Sequence, residues 1–146
     1  MLVREAQASD FPRVVELYRQ LQPGDPVLTD GRDRAVFDQI AREPWLHLFV
    51  LEDKGRIQST CYLNVIPNIT RSARPYAIIE NVVTDEMARG RGYGKRIVSN
   101  ALDFAWGEGC YKVMIQTGSK RESTHAFYEA CGFSRDARHA FIARHA

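Results

Sequence analysis

Tyr76-Ala77-Ile78-Ile79-Glu80-Asn81-Val82-Val83-Thr84, followed after Asp85-Glu86-Met87-Ala88 by Arg89-Gly90-Arg91-Gly92-Tyr93-Gly94-Lys95, is the stretch that decides the fold. Its first part is nearly continuously apolar and β-branched, which predicts a strand buried on both faces at the centre of a sheet. Its last part places alternating glycines before an amphipathic run in which Ile97, Val98, Ala101, Leu102, Ala105 and Trp106 share one helical stripe. Tyr111 to Thr117 then reads as another strand. Strand, glycine turn, helix, strand is a parallel crossover unit, and such units bind ligands at the carboxyl ends of their strands.

A helix start carries unpaired N–H groups and the positive end of a dipole, so Arg89 to Lys95 reads as an anion site. Glycine lets the backbone approach phosphates closely, and Arg89, Arg91 and Lys95 add charge-assisted contacts. A Walker A loop requires Ser or Thr after its Lys, yet Arg96 follows Lys95. A dinucleotide fingerprint requires a glycine where Lys95 stands and an acidic end to the next strand, which here ends Gln116-Thr117. A plain strand-to-helix turn with solvated arginines and an Arg-Gly RNA-binding segment remain as alternatives.

Outward from this core, Leu2 to Gln7 reads as a strand, and Ser9-Asp10 as a cap for a helix over residues 10–21. Thr29 or Asp30 caps a second helix that ends before Pro44. Residues 45–51 and 57–66 flank Glu52-Asp53-Lys54-Gly55 and read as an antiparallel hairpin. Ser119-Lys120-Arg121-Glu122 fits a capping box for a last helix through Ala130, with Gly132 at its left-handed end and a final strand over residues 139–143.

The length of 146 residues predicts one domain spanning 1–146. A net charge of +2 is too mild for a nucleic-acid binder, and no apolar run nears the roughly 18 residues needed to span a membrane. Without a signal-peptide core at Met1 to Glu5, a cytoplasmic location is expected. Cys61, Cys110 and Cys131 sit in apolar stretches and read as buried thiols; the scattered histidines imply no metal.

Arg89, Gly92 and Gly94 match the pyrophosphate motif of the GNAT superfamily, the GCN5-related N-acetyltransferases: Gln or Arg, two residues, Gly, one residue, Gly or Ala. Phe127-Tyr128-Glu129-Ala130-Cys131-Gly132-Phe133 resembles the second family signature, an aromatic-Tyr pair followed by Gly-Phe. The resemblance covers nearly the whole chain. It implies the α/β (α+β) GNAT fold, a mixed central sheet splayed after its fourth strand and flanked by about four helices. It implies acetyl-CoA as co-substrate, its pantetheine arm on the backbone of Val82, Val83 and Thr84 and its pyrophosphate on Arg89, Gly90, Arg91, Gly92, Tyr93, Gly94 and Lys95. Two departures stand out. No Asn occurs in Lys120-Arg121-Glu122-Ser123, and Asp85 stands where Pro is frequent.

Amine acetylation by a thioester needs a base for the amine, an N–H donor for the developing oxyanion and an acid for the departing thiolate. Ile79-Glu80-Asn81-Val82 resembles the segment that carries the base in glucosamine-phosphate acetyltransferases, so Glu80 is the expected base. Tyr128 is the expected acid, and the Val82 amide the expected oxyanion donor. The acceptor is expected to be a small-molecule or peptide amine meeting the first two helices and the loop of Arg71 and Arg74, cations suited to an anionic amine. Dimerisation is common in the family, and the sequence specifies no interface. A non-catalytic acyl-CoA-binding sensor is the alternative from another functional class.

Overall fold

Lys54-Gly55 closes the first hairpin with both residues at positive φ, 51° and 74°. A two-residue turn of this hand matches the twist of the strands it joins and sets Asp53 opposite Arg56. The computed structural model describes residues 1–145, whose contacts divide the chain into two compact units, Met1–Gln116 and Thr117–Ala146. The first unit runs β1 (Leu2–Glu5), a 3₁₀ turn (Ala8–Asp10), α1 (Phe11–Leu21), α2 (Arg32–Arg42), β2 (Leu46–Asp53), β3 (Arg56–Ile66), α3 (Thr70–Ala73), β4 (Tyr76–Thr84), α4 (Tyr93–Gly107) and β5 (Val113–Ile115). α3 is a single turn in which Arg71 and Ser72 lie at positive φ.

The strands form one open sheet in the order β1-β2-β3-β4-β5, antiparallel throughout except for the parallel β4–β5 pair. This mixed sheet with flanking helices is the expected fold. One face carries Leu48, Val50, Ile57 and Val83 against Val14 and Leu17 of α1 and Phe37 of α2. The other face meets α4, where Phe49 packs edge-on to Phe104 at 5.4 Å and Cys61 lies against the Ile97 carbonyl. Helical spacing puts Ile97, Val98, Ala101 and Ala105 on the buried stripe of α4, while Trp106 is exposed.

β4 differs from its expected role. β3 is the central strand, and only one face of β4 is fully covered, since Ala77 and Ile79 are buried while Tyr76 and Ile78 are half-exposed. The apolar run that reads as doubly buried instead lines a cleft. Opposite Cys61 the β3–β4 register slips by one residue, and there Asn81 takes φ 52°. This bulge reverses the alternation, so that Val83 joins the α1–α2 core whereas Ile79 faces α4. β5 pairs only with Ala77, Ile78 and Ile79, leaving β4 from Glu80 to Thr84 without a β5 partner. The expected splay lies here.

In the second unit, α5 (Glu122–Ala130) ends as expected at Gly132, φ 100°, with the Phe133 amide bonded to the Tyr128 carbonyl at 3.1 Å. The expected capping box does not form. Arg121 is the cap residue, and the Ser119 hydroxyl bonds Thr124 and the Arg121 amide. Residues 139–143 form no strand, and Phe141 is 95% exposed. The strand expected over residues 111–117 is confined to β5, and ahead of it the Tyr111 amide donates to the Pro75 carbonyl at 2.9 Å. Asp10 does not cap α1; its carboxylate accepts from the Gln7 amide and pairs with Arg4 at 2.6 Å.

Candidate active site

α4 begins with its amides unspent. The N-cap is Gly92 at φ 80°, no side chain caps the helix, and the first intrahelical bond runs from the Arg96 amide to the Gly92 carbonyl at 3.0 Å. The amides of residues 93–95 therefore point out of the helix start, as an anion site requires. Gly90 also lies at positive φ, 77°, so the turn Arg89 to Gly92 needs a left-handed backbone at both glycines. Arg89, Arg91, Lys95 and Arg96 are exposed around it. Gly94 is in the first turn of the helix. Tyr93 is different: its ring is buried, and its hydroxyl donates to Asp53 at 2.6 Å, so the side chain anchors α4 to β2.

Four residues ahead of the turn stands Asp85, which is 4% exposed. Its carboxylate pairs with Arg13 of α1 and, at 3.4 Å, with Arg56 of β3, and it accepts from the Met87 amide at 2.9 Å. The Arg13 bond, ahead of the Met87 amide and the charges around it, holds the carboxyl below the ordinary carboxylate range against the opposing cost of burial. The Asp85 carboxylate thus joins α1, the hairpin and the 3₁₀ turn Glu86–Ala88 that precedes Arg89.

Among the other expected cofactor residues, Val82 is half-buried on the stretch of β4 without a β5 partner, and Val83 is buried. The Thr84 hydroxyl bonds Ser59 at 3.0 Å, and the Thr84 carbonyl accepts from Arg89 at 3.4 Å. Beside the bulge a cleft of about 520 Å³ opens along β2, β3 and β4, lined by Leu46, Tyr62, Asn64, Ile66, Ile78, Glu80 and Asn81 among others. Glu80 is exposed in this cleft, so the burial cost that its apolar run implied is not incurred. No hydrogen bond or ion pair of its carboxylate occurs among the described residues.

Asn81 and Tyr18 are residues that sequence reading missed. The Tyr18 side chain hydrogen-bonds Asn81, and burial pushes the Tyr18 phenol well above its ordinary value. The available signal was an Asn inside a β-branched run, since Asn tolerates positive φ better than its neighbours. Arg71 and Arg74 do not line the cleft. Arg71 lies over the Tyr111 ring at 5.7 Å, and Arg74 donates to the Gly109 and Cys110 carbonyls at 3.2 and 3.3 Å. Tyr128, in the second unit, is half-buried with its ring 5.0 Å from Phe127 and 6.2 Å from Phe133. The three cysteines are buried and free, and burial raises the Cys61 thiol to about 12.

The model of the acetyltransferase (GNAT) family matches residues 11–133. The chain belongs to the GNAT acetyltransferase family. It is 36% identical over 135 residues to glucosamine 6-phosphate N-acetyltransferase 1 of Oryza sativa subsp. japonica, a match covering 90% of this chain and 79% of that one. A solved chain from Agrobacterium tumefaciens str. C58 superposes with TM-score 0.94 at 46% identity, over 99% of this chain and 100% of the other. Glucosamine-6-phosphate N-acetyltransferase from Arabidopsis thaliana superposes with TM-score 0.84 at 26% identity, over 99% and 97%.

GNAT enzymes use acetyl-CoA. The residues present fit its anionic end, because the start of α4 has no side-chain cap, two left-handed glycines precede it, and exposed arginines flank it. Among the described residues no group of three or more His, Cys, Asp or Glu is placed to hold a metal, and no helix is long and apolar enough to cross a membrane.

Proposed function

We propose that this GNAT enzyme transfers the acetyl group of acetyl-CoA to a primary amine of a small molecule or peptide by direct attack in a ternary complex. The observation that carries the reading is the uncapped start of α4, which follows the end of β4 that has no β5 partner, with Glu80 on that end in an open cleft. In this reading the backbone of Val82, Val83 and Thr84 aligns the pantetheine arm, and Arg89 to Lys95 hold the pyrophosphate. Acetyl-CoA supplies a thioester carbonyl and a thiolate leaving group.

The acceptor enters as an ammonium and must reach the carbonyl as a neutral amine. Glu80 takes its proton, directly or through water in the cleft, and the Val82 amide donates to the carbonyl oxygen as negative charge grows there. The new C–N bond forms, the C–S bond breaks, and the Tyr128 hydroxyl gives its proton to the thiolate, which leaves as coenzyme A. A phenol, with an ordinary pKa of about 10, remains protonated at neutral pH and suits this task. The relatives named for glucosamine 6-phosphate place that compound among the acceptors to be tested.

Thiol release measured over a panel of amines tests the reading. Glu80→Gln is expected to lower kcat/KM for the acceptor by about 100-fold or more, and Tyr128→Phe to lower kcat by about tenfold, both leaving the KM for acetyl-CoA within about twofold. Full activity in Glu80→Gln would remove the carboxylate from the mechanism. Acetyl-CoA binding with no thiol release from any amine would leave a sensor in place of an enzyme.

A further inference from the structure

The cleft is chemically lopsided. Tyr62, Ile66 and Ile78 give it apolar walls, Asn64 and Asn81 contribute neutral amides, and Glu80 supplies a formal negative charge. None of the described residues that line it is Lys, Arg or His.

The cations on the adjoining edge are already engaged with protein. Lys112, just before β5, has its ammonium 5.3 Å from the rings of both Tyr76 and Tyr111. Arg71 stacks on the other ring contact, Tyr111, and Arg74 is spent on the carbonyls that precede β5. Aromatic faces and backbone carbonyls, rather than open solvent at the cleft, receive these charges.

Resting on the reading of this cleft as the acceptor site, we propose that the acceptor is a primary amine with an uncharged, mainly apolar body, an arylalkylamine by chemical class, and that the cleft selects against phosphorylated amines. Glu80 draws the ammonium end of such a molecule, while Tyr62, Ile66 and Ile78 cover its body. A phosphate carried into the same space meets Glu80 with no positive side chain on the walls, and loses its hydration without a replacement partner. The basic loop that the sequence offers as an anion handle contributes nothing to these walls.

Matched acceptor pairs test this with the full chain and acetyl-CoA: tyramine against its O-phosphate, and glucosamine against glucosamine 6-phosphate, by thiol release. The unphosphorylated member of each pair is expected to have at least a tenfold higher kcat/KM, with tyramine the better of the two free amines. Asn64→Lys, which adds a cation to the wall, is expected to shift the tyramine pair by at least tenfold toward the phosphate. Ile66→Lys serves the same purpose should the first variant fold poorly. Equal rates within a pair, or a preference for the phosphorylated member, would overturn the inference and leave acetyl transfer standing. Acetyl-CoA binding without release from any of the four acceptors would overturn the transfer reading, and this inference with it.

Discussion

Asp85 shows how much one side chain settles near the cofactor turn. A carboxyl held below its unfolded value stabilises the fold at all pH above that value, near 3.9, and ceases to do so as pH falls through the lower folded value. Asp85→Asn keeps the shape but loses the charge opposite Arg13, and is expected to cost about 2 kcal/mol at neutral pH. Urea unfolding of both proteins checks this: the gap should be full at pH 7 and shrink below about pH 4. A gap that persisted at low pH would mean that the carboxylate charge is not what stabilises the turn. At Gly92 the issue is conformation. Its φ of 80° disfavours any side chain, although a Cβ there would meet no neighbour within 4 Å. Gly92→Ala is therefore expected to cost about 1 kcal/mol and to weaken acetyl-CoA binding, since the strained turn no longer presents its amides. Titration calorimetry and thermal unfolding read the two effects separately.

Single residues were legible where their physics is local. The left-handed helix end expected at Gly132 is found there at φ 100°, and Gly90 and Gly92, read as points of close backbone approach, also lie at positive φ. Asp10 and Ser119 were not legible: each has a capping side chain, but Asp10 pairs with Arg4, six residues away, and Ser119 with Thr124, five residues away. Glu80 was readable as an unusual residue on its strand, but its exposure depends on which part of the sheet α1 and α2 leave uncovered.

At the scale of elements, the periodicities gave α1, α2, the first hairpin, β4, α4 and α5 in order, and the parallel crossover from β4 through α4 to β5 followed from the succession strand, glycine turn, helix, strand. What periodicity could not supply is the bulge in β4. A run of apolar residues reads the same whether the strand alternates regularly or slips once, and only Asn81 marked the slip. The bulge has a direct test. Asn81→Gly keeps a residue at home at φ 52° and Asn81→Val, β-branched, does not; with the bond to Tyr18 lost in both, the valine variant is expected to be the less stable by about 2 kcal/mol. Thermal unfolding of the two variants measures the difference. If the valine variant is as stable as the glycine variant, the left-handed bulge does not govern this strand. The exposed residues 139–143 show the opposite limit: an apolar pattern can be present without a strand forming on it.

Across the whole molecule, the open sheet divides its labour. One face and α4 make a continuous core, and the other is covered by α1 and α2 only along part of its length, which leaves the cleft beside Glu80. The uncapped start of α4 lies just past the carboxyl end of β4, where open α/β sheets take their ligands. Family membership accounts for acetyl transfer, and the charges that line the cleft carry the proposal for its acceptor. This helix start is expected to bind acetyl-CoA through its pyrophosphate. Titration calorimetry of the intact protein with acetyl-CoA, beside desulfo-coenzyme A, NAD and ATP, tests it most directly. Binding in the micromolar range confined to the two coenzyme A compounds, and weakened in Gly92→Ala, is the predicted result. No heat and no thermal stabilisation with either compound, or equal binding of NAD and ATP, would contradict it.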